Sequence, residues 1–437
     1  MLDFLSLILY LVTVYFAIKG AKIFSMGGLI MINITIGVVI KGFYTKYFDK
    51  NEATLLAPWV IEPNSLPVSE LMLIIVASIL ATYFLYNLFR TDGIKKYNLE
   101  DWFFVNWRNF TSGAIYAGGL SVIILVATVF AFGAYVFGGV ANFSGVMSSR
   151  VSGEVQQLNL VFPLGDLAIV TSIYMYWRLC LVNKFTIGVK LFTYVAMMVC
   201  MGYLVFMGGR GNLLQYFISL IIIKNYTRVE GVSKYSVIAL TLVVPVVILF
   251  GMANRESAQY GTNFYYALSD VIDSGFSAFM APFSLIDHYA LSKIYVSEFG
   301  FHYGSDLIQM PLKLIPRLIY PEKPLPLGIE FRKIFWGDDL GGIPPGIIGE
   351  GYIQFGLFGV FIYLTIILFV ALRVGGVDLK SHSGVGLVPA YAAIVPYVAF
   401  NLVRGGLDVG FSRISVYVIC VIFVGTIFNS LKNKKNE

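Results

Sequence analysis

Long apolar runs dominate the chain, and short polar stretches separate most of them. The hydrocarbon core of a bilayer is about 30 Å thick and requires roughly 17–25 apolar residues per helix. No alternation of the kind typical of barrel strands is present. The pattern predicts an all-α, polytopic integral membrane protein with about eleven transmembrane helices, at 2–18, 26–44, 71–89, 114–137, 160–177, 188–207, 212–223, 235–252, 353–372, 384–402 and 410–428.

Composition supports this interpretation. Of 437 residues, 58% are hydrophobic and 13% are charged, whereas soluble domains contain roughly 45–50% apolar and about 25% charged residues. These values exclude a secreted disulfide scaffold, a nucleic-acid binder and a disordered chain. The three cysteines lack paired spacing and are interpreted as small core residues.

The distribution of basic residues predicts an orientation. If the C-terminus is cytoplasmic, 17 of the 31 Lys and Arg lie on the cytoplasmic side and seven lie in short external segments. The remaining seven lie in one long loop. The first apolar run lacks the features of a cleavable signal peptide and is predicted to span. We therefore predict an external N-terminus and a basic cytoplasmic tail at 429–437, and the net charge of +6 needs no nucleic-acid partner.

The long loop divides the chain into three segments: helices 1–8 at 1–252, a large external loop at 253–349, and helices 9–11 with the tail at 350–437. The loop contains eight of the 15 prolines and two of the three histidines. Loops of this length are usually functional. Within it, 276–286 is apolar but too short to span, which predicts an interfacial or re-entrant segment.

Four arginines occur on the predicted external side, where the positive-inside bias disfavours them. Arginine presents a planar set of donors that suits phosphate, and adjacent Gly or Pro turns let the backbone approach an anion. Alternatively, the side chains of Arg210, Arg255 and Arg404 reach lipid headgroups or pair with Glu256 and Asp408. The candidate diphosphate-binding residues are Arg210, Arg255, Arg317 and Arg404.

Candidate acids and bases are fewer. Glu350 lies between two glycines where a helix is predicted to begin, so it either complements the helix dipole or acts as a partly desolvated acid or base. Asp287 and His288 form either an acid/base pair or an interfacial polar cap. Asp408 is a further reserve base, and His302 is expected in a solvated loop.

The remaining features suggest few further sites. Tyr352 and the aromatic run 264–266 are candidates for stacking on sugar rings. Asp338 and Asp339 lack a histidine to complete a metal site, so we expect neither a metal nor a cofactor. Asp166 is a rare charge within a predicted span, where it either hydrogen-bonds to another helix or lines a cavity.

Four motifs follow one another along the predicted external side, and together they resemble those of the bacterial oligosaccharide repeat-unit polymerases. This is the O-antigen polymerase (Wzy-type) group, which includes the polymerase of enterobacterial common antigen. Each motif alone is moderately specific, and their order is the stronger signal. The motifs are Gly208-Gly-Arg-Gly-Asn, Ile315-Pro-Arg with Tyr320-Pro-Glu-Lys-Pro, Pro345-Gly-Ile-Ile-Gly-Glu with Phe355-Gly, and Arg404-Gly-Gly-Leu-Asp with Ser412-Arg.

The resemblance implies a GT-C-like fold and an inverting glycosyltransferase without a cofactor. Such an enzyme moves a growing glycan from undecaprenyl diphosphate onto a lipid-linked repeat at the periplasmic face of the bacterial inner membrane. Arg210, Arg317 and Arg404 would stabilise the departing diphosphate, and Glu350 would act as the base. Its partners would be these lipid-linked oligosaccharides, membrane lipids and a chain-length regulator. The alternatives are an O-antigen ligase and, in another class, a lipid-linked glycan flippase or transporter.

Overall fold

A computed structural model gives the fold of the greater part of the chain. Every regular element in the described part is helical, as the sequence predicts. The described residues are 2–21, 25–47, 66–89, 112–139, 161–182, 185–207, 210–227, 246, 249–250, 252–253, 257, 263–273, 285–315, 320, 322, 324–337, 342–375 and 387–433.

The helices are numbered here in chain order. A π-helical turn, Thr35–Ile40, joins α2 to α3, and a 3-10 turn, Met310–Leu314, follows α11. The helices are α1 Leu2–Ala21, α2 Met26–Ile34, α3 Lys41–Tyr47, α4 Val68–Leu88, α5 Ser112–Val136, α6 Phe162–Leu181, α7 Ile187–Phe206, α8 Arg210–Thr227, α9 Phe264–Asp273, α10 Leu285–Phe299, α11 Ser305–Gln309, α12 Leu327–Trp336, α13 Gly346–Gly375 and α14 Leu387–Asn433.

Six helical segments in the described part are long and apolar enough to cross a membrane, as expected of a membrane-embedded protein. At 1.5 Å per residue, a 21-residue helix such as α4 extends about 31 Å, the thickness of the hydrocarbon core. The six are Met26–Tyr47, Val68–Leu88, Ser112–Val136, Ile187–Phe206, Gly346–Val374 and Leu387–Leu407.

The other predicted spans differ from these six. The first and last contain shorter apolar helices, Asp3–Tyr15 and Ile414–Ile427. The fifth and seventh are helices, α6 and α8, that do not meet the same length and hydropathy criteria. The eighth, 235–252, lies mostly outside the described residues. The total of eleven spans and the GT-C-like arrangement therefore remain predictions, as does the three-segment division.

The chain forms two compact units. Unit 1 comprises Met1–Gly93, Met280–Val377 and Val398–Arg413, and unit 2 comprises Ile94–Phe279, Asp378–Tyr397 and Ile414–Glu437. In unit 1, α4 and α13 run in parallel. The Ser78 hydroxyl lies 3.4 Å from the Phe361 carbonyl, and one turn later Thr82 lies 3.3 Å from that of Thr365.

Unit 1 also buries the first half of α10, a helix from the predicted external loop. Its first residue, Leu285, packs so closely on Gly37 in the π-helical turn that a Cβ there would overlap its side chain. Of the predicted apolar segment 276–286, the last two residues begin this buried helix. The others lie outside the described residues.

In unit 2, aromatic side chains pack directly against glycines of neighbouring helices. A side chain at Gly119 would overlap Phe192, and one at Gly165 would overlap Tyr203. The buried Asp166 accepts a hydrogen bond of 3.2 Å from the Tyr417 hydroxyl. This matches the predicted role of Asp166 as a residue that hydrogen-bonds to another helix.

Candidate functional site

Two long helices are interrupted at glycines that belong to unit 1. In α13, Phe355 and Gly356 leave helical geometry, with φ 63° at Gly356, and the helix folds back so closely that Gly351 contacts Gly359. In α14, Gly406 has φ 77° and ψ −174°. Left-handed backbone of this kind is readily adopted only by glycine. Each interruption leaves backbone groups without helical partners, and within a membrane these must bond elsewhere.

The Glu350 carboxylate caps the interruption in α14. Its Oε2 accepts a hydrogen bond of 2.5 Å from the backbone N–H of Leu407, the first residue after Gly406. A helix N-terminus carries partial positive charge, which favours a carboxylate there. Glu350 is only 3% exposed. Gly406 leaves just enough room, because a Cβ at that position would overlap Oε2.

The first half of α13 lies against α10. A Cβ at Gly349 would overlap the Ser292 hydroxyl and lie 3.4 Å from the His288 carbonyl. At the other end of this half-helix, a Cβ at Gly346 would lie 2.8 Å from the Val403 carbonyl and 3.3 Å from that of Arg404. The sequence thus brings α10, the start of α13 and the interruption of α14 together through small residues.

His288 is buried at this junction, with 8% exposure. Burial, followed by the charge of nearby Arg404, lowers the pKa of His288 from 6.5 to about 3, although a hydrogen bond to the Pro344 carbonyl opposes the shift. The ring is therefore neutral near pH 7. Among the described residues its Nδ1 has no hydrogen-bond partner, so a ring that carries its one proton on Nε2 has a lone pair on Nδ1. The alternative prediction, an interfacial polar cap, does not fit this burial.

The neighbouring Asp287 faces a buried cation. Burial raises the pKa of Asp287, and the attraction of Lys41 opposes this shift. Lys41 is 4% exposed. Within the part of the chain that the structure describes, the Oδ2 atom of Asp287 has no hydrogen-bond partner, and neither does the buried Thr45 hydroxyl one turn beyond Lys41. Buried ionisable groups of this kind are costly and typically mark functional positions in membrane proteins.

Arg404 completes what we call the Glu350 cluster, namely Glu350, His288 and Arg404. The guanidinium carbon of Arg404 lies 5.8 Å from the centre of the Phe400 ring, a cation–π arrangement. Only this one of the four predicted arginines has a described side chain. Arg210 begins α8 in unit 2, but its side chain lies outside the described residues, as do all of Arg255 and Arg317. Asp408 is in α14, and its side chain is likewise not described.

Tyr352 lies two residues beyond Glu350, within a group of aromatic and charged side chains. Its ring is perpendicular to that of Tyr289, with 5.3 Å between the ring centres. The Tyr289 hydroxyl donates a 2.6 Å hydrogen bond to Glu70, which also pairs with Lys293 at 3.2 Å. The Lys293 ammonium lies 6.0 Å from the centre of the Tyr352 ring. Tyr352 is thus placed where a sugar ring could stack.

The prediction that His302 is a solvated loop residue is wrong. It is partly buried, and its Nδ1 lies 2.6 Å from Asp306 Oδ2 while its Nε2 lies 2.9 Å from the Tyr295 hydroxyl. That hydroxyl donates to Glu330 at 2.9 Å. Gln354 donates to the same Asp306 oxygen at 2.5 Å. We call these residues the His302 network: His302, Asp306, Tyr295, Glu330 and Gln354.

Sequence reasoning missed several of these residues. Lys41 is one of the seven basic residues predicted in short external segments, but the structure buries it; its position within a long apolar run was the available signal. Glu70 occupies the first turn of α4, and no spacing in the sequence connects it to Tyr289 or Lys293. Such contacts join positions more than 200 residues apart.

The described residues contain no group of three or more His, Cys, Asp or Glu side chains that could hold a metal ion. No family model, curated protein or solved structure matches the chain.

Proposed function

We propose that the protein is a bacterial inner-membrane glycosyltransferase that polymerises oligosaccharide repeat units carried on undecaprenyl diphosphate. One observation carries the proposal: a buried carboxylate, a neutral histidine and an arginine converge where two interrupted helices meet. Glu350, His288 and Arg404 belong to two separate parts of the chain, and Glu350 and Arg404 lie in motifs that resemble those of repeat-unit polymerases. In this proposal the site faces the periplasm, the N-terminus is periplasmic and the C-terminus is cytoplasmic.

The proposed reaction uses this cluster as follows. The hydroxyl of the acceptor sugar attacks the anomeric carbon of the donor, and the bond from that carbon to the diphosphate oxygen breaks. The hydroxyl proton passes to Glu350, with His288 or Asp408 as the reserve base. Attack opposite the leaving group inverts the anomeric centre without a covalent intermediate.

Positive charge stabilises the departing diphosphate. Arg404 provides it within the described cluster, and Arg210, Arg255 and Arg317 are proposed to contribute to the same task. The partial positive end of the half-helix that begins at Leu407 acts in the same direction. The chemistry requires no nucleotide sugar, because the donor is already activated by its lipid diphosphate.

The interrupted helices also favour a second candidate, a flippase or transporter for lipid-linked glycans. Secondary transporters often bind their substrates where discontinuous helices meet. Charged side chains inside a membrane protein often line a substrate pathway, and Lys41, Asp287 and Glu350 are all buried in unit 1. An O-antigen ligase would use the same donor and differ only in its acceptor.

Complementation tests the proposal. A strain that lacks its repeat-unit polymerase but retains its flippase and ligase attaches a single repeat to lipid A core. We expect the gene to restore chains of many repeats, visible as a ladder on a polysaccharide gel. Restoration in a strain that lacks only the flippase would instead show transport. Restoration of core attachment in a ligase-deficient strain would show a ligase.

A further inference from the structure

The segment between α10 and α11 has an unusual backbone. Tyr303 has φ 49°, in the left-handed region, and its neighbour Gly304 has φ 87°. A bulky aromatic residue is uncommon there because its Cβ crowds the backbone carbonyl. Among the described residues, Tyr303 alone combines a side chain with positive φ. Strained positions of this kind persist only where surrounding contacts impose them, and they concentrate at functional sites.

The interruption of α13 imposes this conformation. The N–H of His302 donates to the Ile353 carbonyl at 3.0 Å, and the N–H of Tyr303 donates to the Gln354 carbonyl at 3.2 Å. The N–H of Gly304 donates to the Gln354 side-chain oxygen at 2.7 Å. These three bonds use acceptors around the point where α13 stops being helical. The segment is therefore fixed to the half-helix that carries Glu350.

The fixed backbone holds aromatic rings at the surface rather than burying them. Tyr303 is 73% exposed, and its ring centre lies 5.9 Å from that of Phe301. Phe301 is 37% exposed and lies 6.2 Å from Tyr352. We call these three residues the aromatic platform. The bonds to α13 fix the backbone of Tyr303, and the result is an aromatic ring that faces outward and is available to a ligand.

A polar rim borders the platform. The Lys293 ammonium is 6.0 Å from the centre of the Tyr352 ring and 3.2 Å from the Glu70 carboxylate. The side chains of this ion pair are about one-third exposed, at 36% and 34%. The site thus offers apolar ring faces beside a hydrogen-bond donor and an acceptor, all within unit 1.

We infer that the aromatic platform binds a sugar ring of the glycan substrate. A pyranose has one face of C–H bonds, which carry partial positive charge and pack on the negative face of an aromatic ring. Its rim of hydroxyls requires both donors and acceptors, which Lys293 and Glu70 supply. This inference rests on the proposed function for the identity of the ligand. Tyr352 belongs to the platform and lies two positions after Glu350 in α13, so a sugar bound there would lie near the proposed base.

Sugar binding can be measured without turnover. The full-length protein in lipid nanodiscs would be mixed with methyl glycosides of glucose, galactose, N-acetylglucosamine and N-acetylgalactosamine, and saturation-transfer NMR would report contact with each. We expect at least one glycoside to show transfer concentrated on the C–H protons of one face. Tyr303→Ala and Phe301→Ala should each weaken binding about three- to tenfold, whereas Tyr303→Phe should retain it.

Tyr135→Ala is the control, because Tyr135 is also highly exposed, at 85%, and lies in unit 2. It should leave binding unchanged. Absence of transfer to all four glycosides, or equal losses in Tyr135→Ala and Tyr303→Ala, would overturn the inference. So would strong quenching of Tyr303→Trp by brominated lipids, since it would place the platform in the bilayer as an interfacial anchor.

The outcome separates this inference from the proposed function. Sugar binding at the platform without ladder formation in the complementation test would retain the glycan site and reject the polymerase. Ladder formation that survives Tyr303→Ala together with unchanged glycoside binding would retain the polymerase and reject the platform.

Discussion

The two histidine sites of unit 1, around His302 and His288, differ in how completely their polar atoms are paired. In the His302 network both ring nitrogens have partners, and Asp306 accepts from Gln354 as well. All these bonds are satisfied together when the ring carries both protons. In the Glu350 cluster, His288 is neutral near pH 7, and no described residue forms a hydrogen bond with its Nδ1.

This difference distinguishes a structural role from a catalytic role. A fully paired network holds its elements in place and has no spare lone pair or proton with which to react. An incompletely paired buried group costs stability and persists where it serves a function. On this basis, we propose that the His302 network positions the loop and the half-helix and that the Glu350 cluster is the reactive site. Each prediction below tests this contrast.

Loss of the proposed base should have the largest effect. Glu350→Gln keeps an oxygen that can accept from the Leu407 N–H but removes the base, so we expect long polysaccharide to disappear while the purified protein unfolds at nearly the same temperature. Glu350→Ala removes the cap too and should lower the free energy of unfolding by about 1–3 kcal/mol. A normal ladder from Glu350→Gln would make this residue purely structural.

The geometry around Gly406 should be nearly as sensitive. Gly406→Ala forces a side chain into left-handed backbone and onto the Glu350 carboxylate. We expect a loss of about 1–3 kcal/mol in the free energy of unfolding and a polysaccharide ladder clearly shorter than that of the wild type. Thermal unfolding in detergent measures the first effect and polysaccharide gels the second.

The control for this experiment is Gly202→Ala. Gly202 lies within α7, and a Cβ there would have open space. Alanine favours helix more than glycine does, so this variant should be as stable as the wild type. Equal destabilisation by both substitutions would mean that the interruption of α14 has no special role.

Exchanging each histidine for glutamine tests the contrast directly. His302→Gln cannot reproduce two opposed donors and should cost about 1–2 kcal/mol of stability with a smaller loss of polymer. His288→Gln breaks fewer bonds, so its effect on polymer formation should exceed its effect on unfolding temperature. The same ratio of activity loss to stability loss in both variants would remove the distinction between the two sites.

The pH dependence of stability should show the smallest effect. The pKa of His288 is about 3 in the folded protein and 6.5 in the reference state, so the unfolded chain takes up this proton first as pH falls. The stabilising contribution of neutral His288 is complete above pH 6.5. It decreases towards pH 3 by at most about 1.4 kcal/mol per pH unit.

The difference in unfolding temperature between the wild type and His288→Gln, followed from pH 7.5 to pH 4.5, isolates this contribution from other titrating groups. The advantage of the wild type should shrink as the pH is lowered. An advantage that grows would show that the histidine is charged in the folded protein.

The sequence predicted the membrane class because it depends on local apolar length. Helices such as α4 and α5 need only a long apolar run to be recognised. Asp166 stands out by its position in such a run. The motif around Glu350 drew attention to a carboxylate that the structure buries and bonds to the Leu407 N–H, and its catalytic role stays a prediction.

Other features could not be predicted, since they depend on contacts between distant segments. In the sequence Gly406 is one glycine among many, and only the fold places Glu350, 56 positions earlier, beside it. A position in a loop predicts a solvated His302, but in the structure Asp306 and Tyr295 form hydrogen bonds with its ring. The platform likewise requires a backbone distortion at Tyr303 that bonds to α13 produce.

The sequence by itself determined that this is an all-helical membrane protein, because apolar length and composition decide where a chain can reside. It also limited the candidate chemistry to a few charged residues, because charges are scarce in such a chain. Only the tertiary structure decided which of these charges meet. Helix interruptions at Gly356 and Gly406 free backbone groups that must find partners, and those partners come from distant segments whose pairing no local pattern encodes.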